Sequence, residues 1–440
     1  MVKISPFEGI TFNFNKLSSE YKLFAPPYDV ISPAYQEELY SRNPYNIVRL
    51  ILPKALDGDN DLENRYTRAA KDYKRWLERG ILVKSPIPKL YFYVQQYKDS
   101  KGFEVLRKGF IAKCLLEDFE TGNILPHEET MGGPKEDRLN LMTASKANFS
   151  QIFVVYSDIK QEIDYILEMV IPPTPLVDVV DDDRVRHIFY EITDEPAIAK
   201  IQDLMKDKKI LIADGHHRYE TALKYRDNRR AEDCSDISEE NPYDSMMIYF
   251  ANLEDTGLRI YPTHRLLKTR PGISFEQFLK KIDPSFSVLE INFDSIEKCF
   301  SLIEKEDASE IPIGVICKEN PGKLYLIKPC LEKVTEELSG LGVSDILAKL
   351  DVTILHRLIL EKIMGLDTIE LKNQNNIQFI RNEDEIVSKY SKHEAEYIFL
   401  LTSPDISKVK EVCLGGFRMP QKSTYFYPKL LSGLVLNSLE

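Results

Sequence analysis

The part of the sequence that decides the fold is Lys209-Ile210-Leu211-Ile212-Ala213-Asp214-Gly215-His216-His217-Arg218-Tyr219-Glu220-Thr221-Ala222-Leu223. Its apolar run, Ile210 to Ala213, predicts a short buried strand. Asp214 can cap a following helix by accepting backbone N–H groups, and Gly215 lets the chain turn tightly. A strand that turns directly into a helix is typical of an α/β fold.

The same turn has the chemistry of an anion site. Unbonded N–H groups at the start of a helix, together with the positive end of its dipole, attract phosphate. His216, His217 and Arg218 add three donors within the first helical turn. An ordinary capped helix with solvated histidines is the alternative. A zinc site would need ligands spaced to face one metal, whereas adjacent histidines point in different directions.

A rigid N-terminal loop offers a second group of candidates. Pro26-Pro27 precedes Tyr28 and Asp29, and residues before proline are driven away from helix, so this loop should be extended. A carboxylate on a rigid loop suits a general base, and Asp29 is therefore a catalytic candidate. An exposed turn aspartate is the alternative. Asn46 and Arg49 follow closely, and either ligand contact or packing would explain them.

The polar stretch from Leu125 to Ser150 predicts a long loop between strands, where functional groups tend to lie. Its Gly132-Gly133-Pro134 turn would expose backbone amides to a phosphoryl group, and a carboxylate there could hold Mg²⁺. A charged, solvated loop is the alternative. The candidate binding and catalytic residues of this stretch are His127, Glu128, Thr130, Lys135 and Arg138.

The rest of the chain alternates between helical and strand-like patterns. Near its end, the stretch Lys422-Ser423-Thr424 with Lys429 supplies cations and hydroxyls, but the glycine pattern of a Walker motif is missing. The charged segment 227–242, which ends at a proline, is predicted to form a mobile loop. We predict helices at Pro33 to Ser41 and Leu62 to Arg79, strands at Lys89 to Val94, Arg107 to Cys114, Gln151 to Tyr156 and Met246 to Ala251, and a second α/β region over about 270–410.

Composition limits the class of protein. The chain has 440 residues, 43% of them hydrophobic, which is enough for a large core. A net charge of −12 disfavours broad binding to nucleic acid, which needs a basic face. No apolar run is long enough to span a bilayer, so we expect no membrane partner and a cytoplasmic location. The six cysteines are widely spaced and are expected to be reduced.

Several motifs together resemble domain-of-unknown-function family 1015. They are Pro26 to Ser32, Leu125 to Arg138, Ala147 to Gln151, Asp214 to Leu223, and Met419 to Lys429. The Asp-Gly-His-His-Arg element is similar to the phosphate-binding box of the ParB/sulfiredoxin-like superfamily. The resemblance implies a mixed α/β fold, with a ParB/sulfiredoxin-like catalytic core over 1–265. It also implies a C-terminal α/β region over 266–440, whose tail returns to the active site.

The resemblance further implies a kinase that phosphorylates free L-serine, with pyrophosphate as donor in this branch and ATP or ADP in related ones. A nucleotide-binding regulatory module and a hydrolase are the alternatives, and the presence of a homo-oligomer is left open. Sulfiredoxin chemistry is disfavoured because His216 and His217 stand where a cysteine is needed. Mg²⁺ would bridge phosphate oxygens, without a dedicated protein cage.

Site roles follow from this reading as hypotheses. The turn from Gly215 to Arg218 would hold the donor phosphates, and Lys135 and Arg138 would clamp the far end. Asp29 would accept the hydroxyl proton, with Glu128 or Asp214 as the competing choices. The catalytic candidates are Asp29, Glu128, Asp214 and His217. The candidates for substrate and phosphate binding are Tyr28, Asn46, Arg49, His127, Thr130, Lys135, Arg138, Gly215, His216, Arg218, Tyr219, Glu220 and Lys422.

Overall fold

A computed structural model describes residues 1–17, 21–99, 102–128, 132–233, 241–268, 272–282, 284–366, 376–420 and 422–440. The backbone divides into two compact units. The first comprises Met1–Pro126, Thr130–Arg259 and Pro428–Glu440, and the second comprises His127–Glu129 and Ile260–Tyr427. Pro428–Glu440 thus belongs to the first unit. The expected division at residue 265, with a tail that returns to the active site, stays a prediction.

Helices of the first unit begin where the sequence supplies caps. Ser32 accepts a hydrogen bond from the N–H of Tyr35 and is followed by proline at the first helical position. The predicted helix at 62–79 starts at Arg65, because Asn64 and Thr67 form a capping box there. The α-helices are α1 (Pro33–Arg42), α2 (Val48–Ile51), α3 (Arg65–Glu78), α4 (Gly132–Ser145), α5 (Glu162–Met169), α6 (Glu195–Met205) and α7 (His216–Asp233), with 3₁₀ turns at Tyr21–Leu23, Tyr28–Val30, Phe119–Thr121 and Pro242–Asp244.

The first unit is built on a mixed sheet. Its strands are β1 (Ile4–Ser5), β2 (Ile10–Phe12), β3 (Leu82–Lys84), β4 (Leu90–Lys98), β5 (Glu104–Leu115), β6 (Ile124–Pro126), β7 (Ala147–Asn148), β8 (Ile152–Tyr156), β9 (Val177–Val180), β10 (Arg186–Ile192), β11 (Ile210–Asp214) and β12 (Ser245–Asn252). Within the described residues, nine strands form one sheet in the order β6-β11-β8-β12-β5-β4-β10-β9, with β1 beside β5. Pairs β6/β11 and β8/β12 are parallel, and the other pairs are antiparallel.

Chain termini complete this unit. Asn437–Ser438 pairs with β7, and Leu436 bridges to Ile10. The core lies on the sheet and includes Phe92, Ile152, Ile212 and Ile248, which are almost fully buried. The predicted strands at 89–94, 107–114, 151–156, 209–213 and 246–251 are confirmed. Their alternation and apolar runs fit a sheet with buried faces.

Two predicted loops are wrong in part. The stretch 125–150 contains helix α4, because Gly-Gly-Pro stands at its first turn, where proline is tolerated, and apolar Leu141 and Met142 then face the core. The stretch 227–242 is helical as far as Asp233, since α7 continues through its charged residues. Residues 234–240 lie outside the described residues.

The second unit has an antiparallel sheet of its own. Its strands are β13 (Arg259–Tyr261), β14 (His264–Leu267), β15 (Phe286–Asn292), β16 (Ile313–Cys317), β17 (Lys323–Pro329), β18 (Ile377–Ile380), β19 (Tyr397–Leu400) and β20 (Tyr425–Tyr427). Six of those described are ordered β15-β17-β16-β19-β14-β18, and β13 pairs with β20. Helices occupy Phe275–Ile282, Glu297–Glu304, Ala308–Glu310, Leu331–Ser339, Asp345–Ala348, Asp351–Thr353, Ile354–Ile363, Glu383–Ser391 and Ile406–Leu414. The mixed α/β class is confirmed, and the ParB/sulfiredoxin-like detail stays a prediction.

In the part of the chain that the structure describes, no helix combines the length and apolar character needed to cross a bilayer. The described cysteines carry thiols that form no disulfide. Cys114, Cys299, Cys317 and Cys413 are buried and Cys330 is exposed, while Cys234 lies outside the described residues.

Candidate functional site

The predicted strand, turn and helix meet at Gly215. Strand β11 ends at Asp214 and α7 begins at His216. The backbone of Gly215 has a φ of 95°, which residues with a side chain rarely adopt. A Cβ added at this position would lie 2.9 Å from Nε of Arg218. The turn therefore requires glycine for its backbone conformation and for the close approach of a guanidinium.

Arg218 folds back over this turn. Its Nη2 donates to Oδ2 of Asp214 at 2.5 Å, and its Nη1 donates to the backbone carbonyl of Gln151. Arg218 is only 9% exposed. A guanidinium held at two points is pre-oriented, so a ligand that binds it loses little side-chain entropy.

Lys429 supplies a second cation to the same carboxylate. Its Nζ donates to Oδ1 of Asp214, and the two side chains are 12% and 17% exposed. The backbone carbonyl of Lys429 accepts from Nε2 of Gln95 at 2.8 Å, and that of Pro428 accepts from Nη2 of Arg107 at 2.6 Å. The end of the chain is thus anchored so that Lys429 reaches the turn.

A second carboxylate lies between two cations in the same way. Oδ1 of Asp137 accepts from Nη2 of Arg65 at 2.5 Å, and its Oδ2 accepts from Nε of Arg138 at 2.8 Å. Nη1 of Arg138 donates to the carbonyl of Ile51 at 2.5 Å, and its guanidinium lies 4.0 Å from the ring centre of Tyr28. Arg138, 7% exposed, is therefore as firmly placed as Arg218.

A cavity of about 40 Å³ is lined by one arginine of each cluster. Its walls include Arg138, Arg218, Tyr28 and the apolar side chains of α4, and none of the described residues that line it is acidic. It exceeds the roughly 10–15 Å³ that one water needs. The structure thus brings three predicted site residues, Tyr28, Arg138 and Arg218, around one space suited to an anion.

Tyr28 contributes a neutral hydroxyl to this space. Burial raises its pKa to about 12, Asp29 adds to the rise, and Arg138 and Arg218 oppose it. At neutral pH the phenol is therefore a hydrogen-bond donor. Asp29 follows it in the 3₁₀ turn Tyr28–Val30 and is exposed.

Three predicted ligand residues have structural partners instead. The side chain of Asn46 is fully buried and donates to the carbonyl of Phe24 at 3.0 Å. Arg49 donates to the carbonyl of Tyr40 at 2.8 Å and covers its ring. The hydroxyl of Tyr219, also buried, donates at 2.8 Å to a carbonyl in the loop after β5. These contacts hold backbone segments together, and the binding roles of the three residues stay predictions.

Lys135 and Glu220 form an ion pair between α4 and α7. His216 is buried and His217 is half-buried, and both stand in the first turn of α7. Thr130 lies outside the described residues. The binding roles of these residues stay predictions.

The remaining candidates, His127, Glu128 and Lys422, belong to the second unit. Oε1 of Glu128 accepts from the N–H of Thr424 at 3.0 Å, and its Oε2 accepts from the N–H of Lys422 at 3.3 Å. Nε2 of His127 lies 2.6 Å from Oγ1 of Thr424. Both oxygens of Glu128 thus hold the backbone after Met419, so this carboxylate serves a structural purpose there.

Sequence reasoning assigned no site role to Asp137, Arg65 or Asn148, and treated Lys429 only as a nearby cation. The signal for Asp137 is its position beside Arg138. Lys429 was named as a cation of the tail that is expected to return to the active site, but no signal pairs it with Asp214, which lies 215 residues away. No group of three or more His, Cys, Asp and Glu side chains among the described residues could hold a metal ion.

Comparison with known proteins adds a family. The family model described as Protein of unknown function (DUF1015) matches residues 4–353. None of the curated proteins matches the chain. Among solved structures, a conserved hypothetical protein from Pyrococcus furiosus is 15% identical, with 69% of this chain and 87% of that chain covered and a TM-score of 0.33.

Two further solved structures resemble the chain at similarly low identity and TM-score. A free serine kinase in complex with AMP is 13% identical, with 69% and 84% covered and a TM-score of 0.34. SbnI with a C-terminal truncation, from Staphylococcus aureus, is 10% identical, with 71% and 82% covered and a TM-score of 0.33. At these identities and TM-scores, the function has to be inferred from the site itself.

Proposed function

The chain belongs to the DUF1015 family of proteins of unknown function, as its motifs led us to expect, and we propose that it is a small-molecule kinase for free L-serine. It transfers a phosphoryl group from pyrophosphate to the serine hydroxyl, giving O-phospho-L-serine and orthophosphate. The observation that carries the proposal is the cavity beside the glycine turn that starts α7. Two buried arginines line this cavity, and none of the lining residues that the structure describes is acidic.

Charge balance supports an anionic substrate. Asp214 is bound by Arg218 and Lys429, and Asp137 is bound by Arg65 and Arg138, so four cations face two carboxylates. The nearby Asp29 offsets one further charge. A buried cation is stable only with a partner, and a phosphate or carboxylate group would provide it.

The arginines keep donors for such a group. A guanidinium has five N–H donors. Arg138 uses three of them, the two described above and Nη2, which also donates to Oδ2 of Asp137, and Arg218 uses two. Phosphoryl transfer asks a protein mainly to position reactants and to stabilise spread negative charge. One well-placed donor is worth about 2.7 to 4 kcal/mol of barrier.

Within this proposal, the N–H groups after Gly215 bind the donor phosphates together with His216, His217, Arg218 and Lys429. The serine oxygen attacks the terminal phosphorus, the bond to the bridging oxygen breaks, and orthophosphate leaves. Asp29 takes the hydroxyl proton, because it is an exposed carboxylate beside Tyr28. Asp214 instead orients its two cations.

Mg²⁺ fits this site only as an ion that arrives with the donor, since the described residues offer no cage of carboxylates and histidines. An ion of this kind is usually bound by one or two carboxylates and by substrate phosphates, and it neutralises charge on the phosphate oxygens. Asp29 is the exposed carboxylate that could contact it. Pyrophosphate carries no base, so the site needs no pocket for adenine. A phosphorylated amino acid as product also fits a cytoplasmic location.

A donor screen tests the proposal. Purified protein, Mg²⁺ and L-serine are incubated with pyrophosphate, ATP or ADP, and phosphoserine is followed by ³¹P NMR. We expect product with pyrophosphate. Product with ATP or ADP alone would make the enzyme a nucleotide-dependent serine kinase. Absence of product with every donor rejects a serine kinase, and tight nucleotide binding without turnover would then indicate a regulatory module.

A further inference from the structure

Asn148 has an unfilled hydrogen-bond donor at the candidate site. It belongs to β7, lines the cavity and is 1% exposed. Its Oδ1 accepts from Nδ2 of Asn437 at 3.2 Å and from the N–H of Met247 at 3.4 Å. Its Nδ2 is buried and has no hydrogen-bond partner. A buried donor without an acceptor is costly, so this group calls for an explanation.

The orientation of the amide is fixed. Oxygen and nitrogen of an asparagine are assigned from their hydrogen-bond partners. Because the backbone N–H of Met247 can only donate, a flipped amide would place the Nδ2 donor of Asn148 against that N–H. Nδ2 therefore keeps its position, and an oxygen atom of a ligand would supply the acceptor it lacks.

The walls of the cavity define the class of ligand. Arg138, Arg218 and Tyr28 supply further donors, and Leu141 and Met142 supply apolar surface. A planar, negatively charged group with two acceptor oxygens matches a guanidinium fork and an amide N–H.

We infer that the cavity binds the carboxylate of the amino-acid acceptor, with Asn148 donating to one carboxylate oxygen. The inference rests on the proposed function for the identity of the acceptor. It makes Asn148 a specificity-determining residue, because a site built to hydrogen-bond one group rejects analogues that lack it.

Asn148→Asp tests the Nδ2 donor most directly. It keeps Oδ1 as the acceptor for Asn437 and Met247 and replaces only Nδ2 by an oxygen of a charged carboxylate. Asn60→Asp is the matched control. It makes the same change in an exposed loop, where Oδ1 of Asn60 accepts from the N–H groups of Leu62 and Glu63. Asn148→Ser removes the amide Nδ2 and leaves only a shorter hydroxyl, without adding charge, and it is used if the aspartate variant does not fold.

Turnover is measured for L-serine and for ethanolamine, which has the hydroxyl and the amine but no carboxylate. We expect Asn148→Asp to lower kcat/KM for L-serine by about 100-fold or more and to change that for ethanolamine by less than about threefold. Asn60→Asp should change neither. Equal losses for both acceptors would overturn the inference.

Calorimetric binding separates this inference from the proposed function. If wild-type protein phosphorylates nothing, the kinase proposal fails, and titration with L-serine still decides the role of Asn148. Binding of L-serine that Asn148→Asp abolishes supports a carboxylate site. Binding of pyrophosphate that weakens in Asn148→Asp while L-serine binding persists shows a phosphate site instead. Unchanged binding of both overturns the inference as well.

Discussion

Replacing Lys429 by methionine removes one of the two cations on Asp214 while keeping the length of the side chain. The backbone around Lys429 should stay in place, because Gln95 and Arg107 hold the carbonyls of residues 429 and 428. Arg218 still binds the other oxygen of Asp214. The change is therefore confined to the charge at the turn.

The expected losses of stability and of turnover differ in size. A charge-assisted hydrogen bond contributes about 1.5–3 kcal/mol, and because Arg218 still partners Asp214, we expect a loss near the lower value. If Lys429 also contacts the donor phosphate, its removal should cost about 100- to 1,000-fold in kcat, which corresponds to about 2.7–4 kcal/mol. The effect on turnover should thus exceed the effect on folding.

The assay compares Lys429→Met with Lys146→Met. Lys146 also pairs with the C-terminal segment, through Nζ to Oε1 of Glu440 at 2.6 Å, but on the exposed surface. Its replacement should change melting temperature and turnover little, because exposed ion pairs contribute about 0–1 kcal/mol. Turnover of Lys429→Met within about threefold of wild type, with phosphate donor saturating, would refute a role in phosphate binding.

Three further predictions test the site and the fold. Gly215→Ala should lower both stability, by at least about 1 kcal/mol, and turnover, because the added Cβ meets the Arg218 guanidinium at a φ of 95°; a melting temperature and kcat equal to wild type would contradict this. Asp29→Asn should reduce kcat by about 100-fold with little change in KM if Asp29 is the base, and steady-state kinetics with unchanged kcat would exclude that role. Burial raises the pKa of Asp164 to about 6, so the contribution of Asp164 to the free energy of unfolding should fall as the pH rises from about 4 to about 6. Asp164→Asn should raise the melting temperature at pH 8 more than at pH 4, and an equal shift at both would reject this reading.

Local signals predicted much of the fold. The apolar run before Asp214 and the glycine after it gave the strand and the turn, since both depend on neighbouring residues only. Helix α4 was missed, because its Gly-Gly-Pro start and charged residues look like a loop, and its Leu141 becomes decisive only when a core is present to bury it.

The candidate site was predicted in part for the same reason. Arg138 and Arg218 were expected to bind an anion, and both line one cavity. Asn46 and Tyr219 were expected there too, but their polar atoms bond to backbone carbonyls. Side-chain direction in loops and helices depends on what packs against them, which proximity in the sequence does not reveal.

By itself, the sequence determined a mixed α/β chain with a strand, a glycine turn and a helix that starts with two histidines and an arginine, because these features follow from local geometry and residue chemistry. Only the tertiary structure decided which distant groups complete that turn. Lys429 reaches Asp214 across 215 residues because Arg107 and Gln95 anchor the end of the chain. Asn148 offers its Nδ2 because neighbouring donors fix its amide. Both outcomes depend on the path of the folded chain, which no local pattern encodes.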